Sequence, residues 1–327
     1  MKMNLSIFAI DKIYSMNIQQ MEYILAVDSL RSFTRAADHC NVTQATLSAM
    51  VRKLEDELQV MIFDRKSTPL RTTEQGKEIV EECRAVLAHC DNIREKAKAA
   101  GGKIEGRLRL GIIPTIANSL LPKIIKPLLA KYPRLHLDLA EITTQHIYRQ
   151  LKEGTIDVGI VGTPNAEEAF GQEVLYYEAL MVYGQVDKKI NYIVPDELRN
   201  NKIWLWEEGH CLRDQIVNLC SLRKKDLRPH NLSFDANSFD TILNMVDEFG
   251  GLTLIPELYY QSLPRERKKK VHYFKSPIPV REVSLLYYRP YAKERMIRAL
   301  SGFIHEKIKP GLVSGQYRQR DLTIAGT

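Results

Sequence analysis

The chain has 327 residues, 44% of them hydrophobic and 27% charged, a soluble profile with enough length for two or more domains with their own cores. It has no run of about 18 apolar residues to cross a membrane, no CxxC, HExxH or histidine cluster to hold a metal, and five irregularly spaced cysteines that suit a reducing cytoplasm rather than a secreted disulfide framework. The net charge of +7 suits a nucleic-acid partner, but residues 16–74 hold seven Lys/Arg against eight Asp/Glu, so charge alone does not point to DNA.

Residues 1–15 contain a short apolar patch, Leu5 to Ile10, that is cut off by Asp11 and is shorter than a signal-peptide core. They read as an N-terminal extension, with Met16 offering an alternative start. Residues 16–74 then read as three helices and a wing. Ile18, Met21, Ile24, Leu25 and Val27 mark the first helix, and Ser32 caps a second from Phe33 to Cys40. Asn41-Val42-Thr43 turns into a third, Gln44 to Leu58, with Leu47, Val51, Leu54 and Leu58 on its apolar face.

A short helix, a turn and a polar-faced helix make a helix-turn-helix whose last helix would enter a major groove. Gln44 suits adenine and Arg52 guanine or phosphate, while Thr43, Thr46 and Ser48 can reach phosphates or base edges. Met61 to Thr72 reads as a hairpin wing that would carry Arg65 and Lys66 to flanking phosphates. Ser32-Phe33-Thr34-Arg35-Ala36-Ala37, Val42-Thr43-Gln44-Ala45-Thr46-Leu47-Ser48 and Arg52-Lys53-Leu54-Glu55 resemble the winged helix-turn-helix of LysR-type transcriptional regulators over its whole length. The family usually has proline where Ala45 stands.

Thr72 with Gln75 reads as a capping box opening a long helix, and residues 75–102 as a linker helix and hinge. Ile79, Cys83, Val86, Cys90, Ile93 and Ala97 alternate by four and three, a seam that predicts pairing with a second helix. Cys83 and Cys90 lie on it as packing residues.

From residue 103 to 312 the pattern is strand–helix–strand, which predicts an α/β effector domain with parallel sheet. Leu108–Ile113, Leu135–Ala140 and Asp157–Val161 read as strands, with helices Ile116–Tyr132 and Thr144–Glu153 between them. Subdomain I is placed at 103–174 and 279–312, and subdomain II at 175–278. Thr115 and Thr144 fall beyond strand ends, where ligands of open α/β sheets bind, but N-capping accounts for them equally well. The run Arg265 to Lys270 reads as a solvated loop, and 313–327 as a polar, mobile tail.

The second half contains Gly209-His210-Cys211-Leu212-Arg213-Asp214-Gln215, with Cys220 nine positions after Cys211. Ile203-Trp204-Leu205-Trp206 before it reads as a buried strand, and Leu212, Ile216, Leu219 and Cys220 after it fall at helical spacing. Cys211 is therefore expected at a helix start, where His210, Arg213 and the helix dipole would favour its thiolate. Nine helical residues rise about 13.5 Å, whereas a disulfide needs Cα atoms within about 7 Å, so the two thiols could join only if the helix unravelled. From residue chemistry alone, a turn cysteine plus an ordinary core cysteine is the alternative.

This segment and its second thiol resemble the redox segment of the peroxide-sensing members of the LysR-type family, and Gly111-Ile112-Ile113-Pro114-Thr115 resembles their strand-and-threonine segment. The resemblance, which covers 16 to about 308, implies a periplasmic-binding-protein-like effector domain of two subdomains. It implies Cys211 as peroxidatic and Cys220 as resolving thiol of a reversible disulfide, with Thr115, Thr144, His210 and Arg281 lining the peroxide pocket. It also implies operator DNA, a homodimer or tetramer and the transcription machinery as partners, no cofactor, and a regulator of oxidative-stress genes rather than an enzyme. The rival readings are a LysR-type regulator sensing a small metabolite in the effector cleft, a thiol peroxidase with a DNA-binding head, and a purely architectural DNA-binding protein.

Overall fold

Short polar side chains open the N-terminal helices. Asn17 accepts from the Gln20 N–H at 2.9 Å and the Gln20 side chain returns the bond, so α1 (Ile18–Leu30) starts with a capping box. Ser32 opens α2 (Phe33–His39) and Thr43 opens α3 (Gln44–Leu58) with one bond each. The structure, a computed structural model, describes residues 16–99, 104–164, 167–186, 192–222, 234, 236–288 and 293–325. The expected extension at 1–15 and the end of the hinge at 100–102 lie outside the described residues. The chain divides into two units at Gly101–Gly102.

In the first unit, Ile24, Val27, Ala36, Leu47, Val51, Leu54, Ile62 and Phe63 close into one core. The wing is a hairpin of β1 (Phe63–Asp64) and β2 (Arg71–Thr72), paired antiparallel. Glu55 turns inward from α3 to hold it: its Oε1 accepts from the N–H groups of Ile62 at 2.8 Å and Phe63 at 3.1 Å, and its Oε2 from Arg65 at 2.8 Å. Arg65 also donates to Ser48 at 3.1 Å and lies over the Phe33 ring. Arg65 therefore does not stand free at the wing as expected. With a buried carboxylate within reach, its guanidinium braces the wing against α3.

The long helix α4 (Glu74–Ala99) is opened by Thr73, whose hydroxyl accepts from the Gly76 N–H at 2.9 Å. The expected Thr72–Gln75 box does not form, because the Thr72 hydroxyl donates to Asp28 at 2.6 Å and accepts from Arg31 at 3.1 Å. The seam divides too. Cys83 is buried in its own unit's core along with Val80, whereas Val86 and Ile93 are exposed. Packing of the first turns of α4 on α1 takes part of the stripe that the heptad reading assigned to a second helix.

The second unit begins with β3 (Glu105–Ile112), α5 (Pro114–Lys131), β4 (Arg134–Glu141), α6 (Thr144–Glu153) and β5 (Val158–Val161). β3 lies between β4 and β5, all parallel, so each helix is a crossover. β6 (Phe170–Gly184) follows, then α7 (Cys211–Leu219), α8 (Phe239–Phe249), β7 (Leu252–Pro256), α9 (Glu257–Ser262), α10 (Arg265–Lys268), β8 (Val271–His272), β9 (Ile278–Tyr288), α11 (Glu294–Ile308) and β10 (Leu322–Ile324). The long strands β6 and β9 pair antiparallel from Phe170↔Tyr288 to Ala179↔Val280, and the last residues of β6 pair with β7. These two strands join the halves, and one half has a core that contains Trp204, Trp206, Leu212, Ile216 and Cys220.

Three expectations change in this unit. Trp204 to Trp206 is buried and Ile203 partly so, but the run is no regular strand, because Ile203 bridges to Leu252 and Trp206 to Ala236, two different partners. The run Arg265 to Lys270 is partly a short helix, with Arg267 and Lys270 paired to Asp247 at 3.3 and 2.7 Å. The described tail is not loose. β10 pairs parallel with β9, from Leu322↔Ile278 to Ile324↔Val280, and Glu257 accepts from the N–H groups of Val313 and Ser314.

Glu55→Ala is expected to destabilise the first unit by about 1–3 kcal/mol, since two buried N–H groups lose their acceptor. Lys66→Ala, at an exposed side chain, should stay within about 0.5 kcal/mol. Equilibrium urea unfolding of the full chain tests the contrast, and equal effects would remove the brace.

Candidate functional site

Gly209 has φ +92°, a backbone conformation that glycine tolerates, and it turns the chain into α7. His210 is the N-cap and Cys211 the first helical residue. Both are buried, and the His210 ring lies 5.1 Å from that of Trp206. Burial holds the His210 pKa below the usual 6.5, against the pull of Glu207 and Glu141, so the ring is neutral near pH 7. Arg213 donates to the Trp206 carbonyl at 2.7 Å and has Glu208 at 3.7 Å. Neither neighbour supplies the cation that was expected to favour the thiolate.

That cation is Arg281. Burial pushes the Cys211 thiol up from its ordinary value, while the Arg281 charge, the Thr144 hydroxyl and the Gly162 N–H pull it back and Asp214 pushes it further up. Arg281 is itself fully buried. It donates through Nε to Glu178 at 2.7 Å, through Nη1 to the Thr115 hydroxyl at 3.1 Å and through Nη2 to the Thr115 carbonyl at 2.8 Å.

Capping does not explain the two threonines. The Thr115 hydroxyl accepts from Arg281, and the N-cap of α5 is Ile113, without a side-chain bond. Thr143 at the start of α6 bonds His146 at 2.8 Å, while the Thr144 Oγ1 is buried, influences the Cys211 sulfur, and meets no partner in good hydrogen-bond geometry. An unsatisfied hydroxyl beside a thiol is a place for a small polar guest.

Gly162 belongs to this group and was not foreseen. A Cβ there would stand 3.3 Å from Sγ of Cys211 and 3.7 Å from Cδ of Arg281. Its carbonyl accepts from the Gln215 side chain at 2.6 Å, which ties α7 to the end of β5. Tyr148 is another: burial, Glu167 and Cys211 push its phenol up to about 12, so it remains a proton donor. Only the missing side chain of Gly162 signals a close approach in the sequence, and nothing there names its neighbour.

Cys220 caps the far end of α7 and is fully buried in the hydrophobic core. No disulfide joins Cys211 and Cys220. The helix between them rises about 13.5 Å by ideal geometry.

On α3, Thr43, Gln44, Thr46 and Arg52 are exposed, and Lys66 is exposed on the wing. Ser48 is half-buried and bonded to Arg65. The candidate readers therefore reduce to one exposed face of α3 plus Lys66. Among the described residues, no cluster of acidic, histidine or cysteine side chains could hold a metal, and no helix is long and apolar enough to cross a membrane.

The model of the LysR substrate binding domain matches residues 101–309, and that of the bacterial regulatory helix-turn-helix proteins of the lysR family matches residues 18–77. The chain belongs to the LysR family. Within it, this LysR protein is 37% identical over 278 residues to the hydrogen peroxide-inducible genes activator of Pectobacterium carotovorum subsp. carotovorum, covering 83% of this chain and 90% of the relative. It is equally similar, with 83% and 89% covered, to the DNA-binding transcriptional dual regulator OxyR of Escherichia coli (strain K12). A solved full-length OxyR variant from Pseudomonas aeruginosa superposes with a TM-score of 0.72 at 30% identity, covering 89% of this chain and 98% of that one.

The neutral, buried His210 has a consequence for stability. The unfolded chain takes up a proton near the ordinary histidine value, and the folded protein does so only at lower pH, so stability is lost as pH falls below 6.5. Melting temperature should therefore drop more for the native protein than for His210→Gln between pH 7 and about pH 5.5. Thermal melts of both proteins across that range test it, and parallel curves would mean that folding leaves the proton affinity of His210 unchanged.

Proposed function

We propose that this LysR protein is a peroxide-responsive, DNA-binding transcriptional regulator of oxidative-stress genes, switched by a reversible Cys211–Cys220 disulfide. The observation that carries this reading is the grouping of Arg281, the Thr144 hydroxyl and the Gly162 N–H around Cys211, with Thr115 bonded to the same Arg281 and a second thiol at the other end of the same helix. The names of its relatives support it.

In the proposed chemistry, peroxide enters beside Thr144 and Cys211 loses its proton as its sulfur attacks one peroxide oxygen. The O–O bond breaks, the sulfur is oxidised to a sulfenic acid, and the other oxygen leaves as hydroxide, which takes up the proton to become water. Arg281, the threonine hydroxyls and the Gly162 N–H are oriented donors for the negative charge that develops on the departing oxygen. Local opening of α7 then brings the Cys220 thiol to the sulfenic sulfur. An S–S bond forms and a second water leaves. A neutral His210 assists by hydrogen bonding.

The readout is on DNA. Gln44, Thr46 and Arg52 contact bases or phosphates, with Thr43, Ser48, Arg65 and Lys66 supporting or flanking them, and refolding of 209–220 alters how the copies of a homodimer or tetramer present their reading helices. Arg65 and Ser48 act through the brace of the wing. Operator DNA, a second copy of this chain and the transcription machinery are the partners, in the cytoplasm. No cofactor or catalytic turnover is invoked: each molecule reacts once per cycle of oxidation and reduction.

A reporter driven by the operator should respond to micromolar peroxide with the native protein and lose at least about tenfold of that response with Cys211→Ser. Cys220→Ser should also lose the lasting response. Full induction with either variant would favour the metabolite-sensing alternative.

A further inference from the structure

A buried guanidinium is tolerated only where its charge is met. Among the described residues, Arg281 has one ion pair, with Glu178, itself 1% exposed. Glu178 and Arg281 are directly opposite in the β6–β9 register, so the pairing is built into the strands. The second oxygen of Glu178 accepts from the Leu258 N–H at 3.1 Å, in the first turn of α9. With Nε bound to that fixed carboxylate, the guanidinium plane has one orientation, and its two Nη groups meet the hydroxyl and the carbonyl of Thr115. None of these contacts touches the thiol.

We propose that Glu178 is the positioning residue of the thiol site: through Arg281 it holds the Thr115 hydroxyl in place and offsets part of the positive charge that acts on Cys211. This rests on the peroxide reading above. It assigns two separable effects to one carboxylate. Orientation of the donors favours reaction with peroxide, while the negative charge restrains the thiolate. A neutral side chain of the same shape should therefore ease ionisation of Cys211 and yet slow its oxidation. A merely structural residue would not drive the two in opposite directions. Among the described residues, Tyr148 from α6 and Asp214 from its own segment also act on Cys211, and Tyr176 from β6 lies under the charges of Glu178 and Arg281; the substitution leaves all three in place.

The test compares reduced full-length native protein with Glu178→Gln and Glu178→Asp. Two rates are followed by mass spectrometry of the Cys211 peptide: alkylation by iodoacetamide as a function of pH, and oxidation by sub-stoichiometric hydrogen peroxide. For Glu178→Gln the alkylation midpoint should fall by about one pH unit, as expected when a balancing charge is removed near an ionising group. Its peroxide rate should fall about tenfold or more through lost orientation. Glu178→Asp keeps the charge but draws it back, so the midpoint stays native and the peroxide rate falls. A Gln midpoint at or above the native one, or a native peroxide rate in either variant, overturns the proposal. If Glu178→Gln does not fold, judged by circular dichroism, the peroxide rate of Glu178→Asp decides. If native Cys211 itself ignores peroxide, the functional reading fails, and the alkylation midpoints still decide the role of Glu178.

Discussion

The effector unit depends on one buried guanidinium. Arg281 joins the two strands that link the halves of the domain, holds a threonine at the start of α5, and is the main cation acting on the Cys211 sulfur. Burial and charge oppose each other at that sulfur. Desolvation keeps the thiol protonated, and the donors aimed at it favour the anion. A thiol in this state reacts slowly with alkylating reagents, at a rate that rises as it ionises. On the proposed reading, it suits a small neutral oxidant that can accept hydrogen bonds from the donors around the sulfur.

In the proposed chemistry, selectivity for a small oxidant follows from space as much as from charge. Gly162 leaves room for little beside Sγ, and Gln215 fastens the start of α7 to the Gly162 carbonyl. The same helix separates the thiols. Its first residue is Cys211 and its C-cap is Cys220, so the secondary structure that buries the first thiol also keeps the second away from it. In the proposed switch, oxidation at one end is worth the loss of nine helical residues and of a buried core cysteine. Such a device has two discrete states, which a regulator needs if a chemical event is to reach DNA-binding helices elsewhere in the molecule.

Local patterns were legible in the sequence. The caps at Ser32 and Thr43, the apolar face of α3 and the placement of Cys211 at a helix start all follow from neighbours within a few residues. Long-range polar contacts were not. Arg65 looked like a free wing cation because Glu55, ten residues away, reads as one of several surface acids on α3. Thr72 looked like a cap because its bonds to Asp28 and Arg31 cross from the wing to α1. The tail looked mobile because β10 is polar and short, and its order comes from β9 and Glu257. At the thiol, proximity in sequence suggested His210 and Arg213, whereas the cation that acts comes from Arg281, seventy residues on. The local chemistry was readable, and the partners that tune it were set by the sheet.

The most direct measurement is peptide mapping of the reduced, full-length protein after brief exposure to sub-stoichiometric hydrogen peroxide. The account requires a Cys211–Cys220 disulfide to appear first, ahead of any oxidation at Cys40, Cys83 or Cys90. Oxidation scattered over those three thiols, with Cys211 and Cys220 still free, would contradict it.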